Sequence, residues 1–246
     1  GAAFDGFQGT AIENNLSLSY PVLRSRLSNL GVSVGLKSKR LRDDRQGEID
    51  YKRVDAIPMV LNFDHRDGVG QGGVSYGQAT WVAGRLTQSG QRTHFSRWML
   101  DVARLQRLNA SWNPYAHLVT QGAQDNLDSS EGMTLGGASS VRAYPSDEAS
   151  GDTGWIAQLE LRKTLGQSEV YAFYDHGRVK VDARPELVNA PAPDMVRAGA
   201  GLGVRFKRGP MNVNAALAWR TQGGAPTSSV YDDKKPRVLL SAAYSF

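Results

Sequence analysis

The chain has 246 residues, of which 22% are charged and 40% hydrophobic, with a mean hydropathy of −0.41 and a formal net charge of +5. These averages describe an ordinary soluble domain, but no run of about 18 apolar residues is present, which excludes a transmembrane helix. The positive charge is dispersed, so a solvated surface explains it and we expect no nucleic-acid partner. Cysteine is absent, which fits an oxidising envelope compartment without requiring one.

Segments of alternating polarity recur along the whole chain and predict β-strands, because Gly, Asp, Asn, Ser and Pro separate each segment from the next. No apolar pattern of helical spacing is sustained. The predicted strands are residues 10–20, 28–41, 47–63, 72–86, 93–107, 109–123, 153–163, 168–181, 196–207, 210–221 and 236–246. Their lengths suit tilted membrane strands, in which every second side chain faces water and keeps the mean hydropathy low.

The alternation is clearest in the second half of the chain. Leu159 and Leu161 alternate with Glu160 and Arg162. Other predicted strands likewise carry apolar residues on one face and Gly, Asn and Arg on the other. A soluble sandwich would bury its apolar faces against a second sheet. Here the other face carries charged and small residues, and aromatics such as Trp219 lie near strand ends. This pattern instead predicts that the apolar side faces lipid and that the aromatics form a girdle. The predicted fold is an all-β antiparallel transmembrane β-barrel, with the sandwich as the alternative.

The connections differ in length between the two ends of the strands. Short connections are predicted near 21–27, 108, 164–167 and 208–209. Longer polar connections are predicted near 42–46, 87–92, 124–152, 182–195 and 222–235, and 64–71 is intermediate. Short periplasmic turns and long extracellular loops are typical of outer-membrane barrels. The connection at 124–152 is so long that a functional role is expected.

Two blocks of the sequence resemble one protein family. The first block runs from Asp128 to Arg162 and contains Leu-Gly-Gly, Val-Arg-Ala-Tyr, Gly-Asp-Thr-Gly and Glu-Leu-Arg in that order; the second is Phe-Tyr-Asp-His-Gly from Phe173 to Gly177. They resemble the transporter partner of two-partner secretion systems, the haemolysin and filamentous-haemagglutinin secretion/activation proteins. The family's glycine after the arginine is Ala143 here, and alanine would be strained if that position requires a positive φ.

The resemblance implies a sixteen-stranded barrel in the bacterial outer membrane. Residues 1–246 would supply about eleven C-terminal strands of it, and the loop at 124–152 would join the eleventh and twelfth. Lipid does not tolerate the two unpaired edges of an open sheet. We therefore expect further strands, a plug helix and periplasmic polypeptide-transport-associated domains outside this chain.

The resemblance also implies that the long loop folds into the lumen, where Arg142 pairs with Asp175. Strand parity places Phe173, Asp175 and Gly177 on the face opposite the lipid, and Glu160 on the adjacent strand could be a second acceptor. A guanidinium and a carboxylate can pair through two hydrogen bonds in a partly desolvated pore. Gly177 would leave room for the backbone of the loop. The loop motif adds Val141 and Tyr144 to this predicted site.

The last apolar alternation ends in Tyr244 and Phe246. The resemblance implies that this terminal aromatic signal is read by the barrel-assembly machinery. We expect both side chains at the lipid-facing periplasmic rim.

The predicted function is a pore that passes a partner exoprotein, such as an adhesin, haemolysin or toxin, to the cell surface. The alternative is an outer-membrane insertase of the same superfamily, because that class shares the arginine loop. A diffusion porin or barrel enzyme has no use for the loop motif. The four histidines lack metal-ligand spacing, the glycines of 199–203 lack dinucleotide spacing and no Gly-x-Ser-x-Gly motif exists. We expect no cofactor, metal or catalytic residue, and as partners the exoprotein, the lipid bilayer and the assembly machinery.

Overall fold

Eleven antiparallel strands form one sheet whose spatial order follows the chain, as predicted. The computed structural model describes residues 7–45, 48–190, 192–227 and 235–245. The strands of the sheet are β1 Phe7–Arg24, β2 Ser28–Arg45, β3 Glu48–Asp67, β4 Gly73–Gln88, β5 Gln91–Gln106, β6 Trp112–Ala123, β9 Thr153–Leu165, β10 Ser168–Lys180, β11 Met195–Arg208, β12 Met211–Gln222 and β13 Arg237–Tyr244. The first and last of them do not pair with each other within these residues.

The long loop between β6 and β9 has regular structure of its own. It contains a 3₁₀ turn at Ser129–Glu131 and a two-stranded hairpin of β7 (Met133–Leu135) and β8 (Ala149–Gly151). A second 3₁₀ turn, Pro185–Leu187, lies between β10 and β11. No helix in the part of the chain described above is long and apolar enough to cross a membrane.

The two faces of the sheet differ because polarity alternates along each strand. In β10, Tyr171, Phe173 and Asp175 are buried, whereas Val170 and Tyr174 are exposed. The buried side chains lie on the face that carries the long loop, which we call the loop-bearing face. The opposite, apolar face exposes leucines that include Leu159, Leu161, Leu202, Leu217 and Leu240.

The buried apolar contacts lie mainly between the long loop and the sheet. One cluster packs Val141, Ala143 and Tyr144 of the loop against Tyr171 and Phe173 of β10. A second cluster joins the β7–β8 hairpin to β9 and β10 through Met133, Leu135, Ala149, Ile156 and Val179. The loop therefore serves as the second layer that a single sheet needs in order to bury one face.

Two predicted long connections are wrong. Near 42–46, β2 continues to Arg45 and pairs with β3 from Glu48, so the charged residues there belong to strands of 18 and 20 residues. Near 87–92, Ser89 and Gly90 have φ angles of 49° and 79° and form a two-residue turn of the kind that closes hairpins. Both errors have the same cause, because charged and turn-forming residues are typical of loops. Here the charged residues extend two strands, and the turn-forming residues close a hairpin.

Candidate functional site

Arg142 lies at the far end of the long loop and is held by two carboxylates of the sheet. Its Nε and Nη2 donate to the two oxygens of Asp175 at 2.8 and 2.6 Å, and its backbone N–H donates to the same carboxylate at 3.0 Å. Its Nη1 donates to Glu160 at 2.5 Å. All three side chains are buried. We call this set of contacts the loop lock.

The surroundings of Arg142 favour its charged form. Burial alone would lower the pKa of Arg142, but hydrogen bonds and charges from Asp175 and Glu160 outweigh burial and raise it above its usual value. The side chain of Asp175 is 0% exposed and that of Arg142 is 7% exposed. Removing one partner would leave an uncompensated buried charge, at a cost of about 3–5 kcal/mol.

Glu160 is shared by three arginines. Besides Arg142, Arg162 donates to it at 2.8 Å and Arg205 at 3.0 Å. Arg162 and Arg205 lie over the rings of Tyr115 and Tyr171, with the guanidinium carbon 4.1 and 4.0 Å from each ring centroid. The carboxylate therefore connects the loop to arginines that are fixed on the sheet.

Phe173 and the glycines of β11 form the surface beneath Arg142. The guanidinium carbon of Arg142 lies 3.7 Å from the Phe173 ring centroid, in the geometry of a cation–π contact. A Cβ atom at Gly201 would lie 2.3 Å from that ring, and one at Gly203 would lie 2.3 Å from the ring of Tyr171. The glycines of β11 thus give the aromatic side chains of β10 space to lie flat on the sheet.

The difference from the family motif at Ala143 causes no backbone strain. Ala143 does not have a positive φ, and its methyl group instead packs against β11, where a Cβ at Gly199 would lie 2.3 Å away. The expected role of Gly177 also needs correction. It makes room for the side chains of Leu135 and Val141, whose methyl groups would lie 2.7 and 3.3 Å from an added Cβ, and not for the loop backbone.

The other predicted site residues lie in two places. Val141 and Tyr144 are fully buried beside Arg142, and the Tyr144 hydroxyl lies 2.8 Å from the carbonyl oxygen of Gln222. Tyr244 is 65% exposed at the end of β13, on the apolar face by strand parity. Phe246 lies outside the described residues.

Sequence reasoning missed two acidic residues of the loop that are buried against basic residues of the sheet. They are Glu131, which contacts Lys39 and Arg97, and Glu148, which contacts Arg197. Each is far in sequence from its partners, and neither lies in a family motif. The only signal available was that these acidic residues flank the motif within the same loop.

One protein family matches most of this chain. Residues 6–206 match the model of the haemolysin secretion/activation protein ShlB/FhaC/HecB family. The chain belongs to this family. Its members are secretion transporters of the Gram-negative outer membrane and not enzymes, so the sheet is part of an outer-membrane β-barrel.

One sequence relative and one solved structure illustrate the similarity. The heme/hemopexin transporter protein HuxB of Haemophilus influenzae strain 86-028NP is 24% identical over 239 residues, which are 89% of this chain and 42% of HuxB. The solved structure of CdiB from Escherichia coli matches with a TM-score of 0.76 at 18% identity, covering 97% of this chain and 46% of CdiB. The chain therefore spans less than half the length of either protein, and the similarity to CdiB shows a shared fold.

Proposed function

We propose that this chain is part of an outer-membrane pore that passes a partner exoprotein to the cell surface. The loop lock would keep the long loop inside the lumen while the pore is at rest. Family membership supports the transport role. The observation that carries the role of the loop is Arg142, whose side chain is bound by Asp175 and Glu160 from two neighbouring strands.

The substrate of such a pore is an unfolded polypeptide that moves without nucleotide. Folding of the exoprotein outside the cell would supply the driving force. The loop-bearing face would line the lumen and is called the lumen face below. Near the loop it offers arginine and asparagine side chains and the glycines of β11, which suits a polar channel that does not hold a passing chain strongly. Tyr244 and Phe246 would serve earlier, as the signal for the barrel-assembly machinery. An insertase role is less well supported, because the matching family is defined by secretion and activation of haemolysins.

The test removes each partner of the loop lock in the full-length protein. We expect Arg142→Ala and Asp175→Ala each to reduce the exoprotein released into the medium by at least several-fold, because either change leaves a buried charge without its partner. The double variant should lose little more than either single variant, since the two residues act as one unit. Secretion is measured by immunoblot of the medium against the amount of barrel in the outer membrane.

The matched control lies in the same loop. Asp147 is exposed and has a φ of 56°, a conformation that asparagine tolerates and alanine does not. Asp147→Asn removes a loop charge without changing the backbone, so it should secrete normally. Normal secretion by both Arg142→Ala and Asp175→Ala would rule out the loop lock as part of the transport mechanism.

A further inference from the structure

The long loop is attached to the lumen face at more places than the loop lock. Before Arg142 in the sequence, Glu131 accepts from Lys39 Nζ at 2.8 Å and from Arg97 Nη2 at 3.0 Å. After Arg142, Glu148 accepts from Nε and Nη2 of Arg197 at 3.1 Å each. We refer to Glu131 and Glu148 as the acid anchors of the loop.

The first acid anchor reaches a strand that is distant from the loop's own attachment. The loop leaves the sheet at the end of β6; Arg97 is on the neighbouring β5, but Lys39 is on β2, four strands away. Gln121 on β6 fixes the same turn, because its amide nitrogen donates to the Glu131 carbonyl and its oxygen accepts from Arg97. Asp128 adds an ion pair with Lys52 of β3 at 3.1 Å. The first part of the loop is therefore attached to four strands.

The second acid anchor is tied to another connection of the barrel. Besides Arg197 on β11, Glu148 accepts from the backbone N–H of Thr227 at 3.0 Å, and the Thr227 hydroxyl donates to the Glu148 carbonyl at 3.2 Å. Thr227 follows β12 in the connection that leads to β13. The Glu148 side chain is 0% exposed, so water cannot replace these partners.

The charges of the loop and of the lumen face alternate in sign. The far end of the loop carries a base, Arg142, that meets acids of the sheet. The acid anchors on either side meet bases of the sheet. A loop displaced along the lumen face would bring like charges together, which costs free energy in a partly desolvated site. The β7–β8 hairpin joins the two sides of the loop, so a shift at either acid anchor is transmitted to Arg142.

From these contacts we propose that Glu131 and Glu148 are positioning residues that set where Arg142 meets Asp175. Neither residue touches the loop lock directly. Each acts by fixing one side of the hairpin on the lumen face, so that Arg142 reaches both carboxylates at once. This inference rests on the proposed role of the loop lock in holding the loop inside the pore.

The experiment measures the position of the loop by thiol labelling in the purified full-length protein. These 246 residues contain no cysteine, and Ser140 is buried next to Val141, so Ser140→Cys gives an isosteric reporter that maleimide reaches only when the loop moves. The reporter is combined with Glu131→Gln, with Glu148→Gln and, as a positive reference, with Arg142→Ala. Glu186→Gln is the matched control, because Glu186 is an exposed acid in a neighbouring connection.

We expect both acid-anchor variants to raise the labelling rate of the reporter thiol by roughly tenfold or more, since a lost partner in a buried ion pair shifts the loop toward its open form. Glu186→Gln should leave the rate unchanged. Adding Glu131→Gln to Arg142→Ala should raise the rate little further, because the loop is already free.

The outcomes separate this inference from the proposed function. A rate that rises with Arg142→Ala but not with either acid-anchor variant would overturn the positioning role and leave the loop lock intact. A rate that stays low even with Arg142→Ala would contradict the loop lock itself. Circular dichroism of each variant identifies one that has lost the barrel. In that case Glu131→Asp, which retains the charge on a shorter side chain, replaces Glu131→Gln and is expected to raise the rate to a smaller extent; an unchanged rate would again overturn the positioning role.

Discussion

At the scale of single residues, the fit between loop and barrel depends on glycines of the lumen face. The family motif has a glycine in the loop where this chain has Ala143, and the space for the alanine methyl group comes from Gly199 on β11. The sequence contains both residues but does not reveal their contact, because they come from separate segments that only the folded loop brings together. The backbone strain considered for Ala143 is absent because its φ is not positive, which the sequence alone could not show either.

Gly177 provides a test at this scale. A valine there would place its Cβ within 2.7 Å of Leu135 and add two methyl groups toward the loop. We expect Gly177→Val to displace the loop from the lumen face, with higher ion conductance of the full-length protein in planar lipid bilayers. Gly68→Val is the control, since a Cβ at Gly68 meets nothing within 4 Å. Equal conductance of the two variants would contradict a close fit at Gly177.

At the scale of elements, strand parity was predictable and loop attachment was not. Alternation placed Asp175 and Glu160 on the face opposite the apolar side chains, as the structure has them, because a period of two fixes the face of every residue in a strand. The family motif supplied Arg142 as their partner. The contact between Glu131 and Lys39 had no such signal, since it depends on how far the first part of the loop crosses the sheet.

Acid should detach the first part of the loop from the sheet. Burial raises the pKa of Glu131, but Lys39 and Arg97 outweigh burial and hold the pKa below its ordinary value of 4.5. A lowered pKa in the folded state means that the attachment is fully present above that value and is lost as the pH falls through the lowered pKa. We expect a spin label at Thr134→Cys, on the exposed side of β7, to gain mobility only in strong acid.

The acid response has an internal control in the same experiment. Glu131→Gln should make the label at residue 134 mobile already at neutral pH, because the charge that the acid would neutralise is absent. A label at Val69→Cys, in the exposed turn between β3 and β4, should report no change with pH. Constant mobility of the Thr134 label throughout the acid titration of a barrel that remains folded would argue against the ion pair as the attachment.

At the scale of the whole molecule, the sheet has two chemically different faces. The eleven strands and their order followed from alternation and the family resemblance. The lengths of the first three strands did not, because their charged ends resemble loops in sequence and extend past the roughly ten residues that cross a bilayer. Long strands of this kind place charged residues beyond the lipid, where water solvates them.

Leu202 tests the assignment of the apolar face. It lies midway along β11, is 59% exposed and is flanked by Ala172 of β10 and Leu217 of β12. We expect Leu202→Arg to destabilise the assembled barrel by about 2–4 kcal/mol, the cost of a charged side chain facing the middle of the bilayer. The measurement is urea unfolding of the full-length protein in lipid vesicles, with Leu202→Met as control. An unchanged unfolding midpoint for Leu202→Arg would place Leu202 away from the lipid.

The glycines of β11 would affect the surface that a moving polypeptide contacts in the proposed pore. With the loop withdrawn, Ala143 would no longer cover Gly199, whereas the rings of Phe173 and Tyr171 would still cover Gly201 and Gly203. The peptide groups of β11 are already paired with β10 and β12, so they have no hydrogen bonds to offer a passing chain. The uncovered surface would consist of flat rings and paired main chain, which a polypeptide of any sequence could pass with little friction.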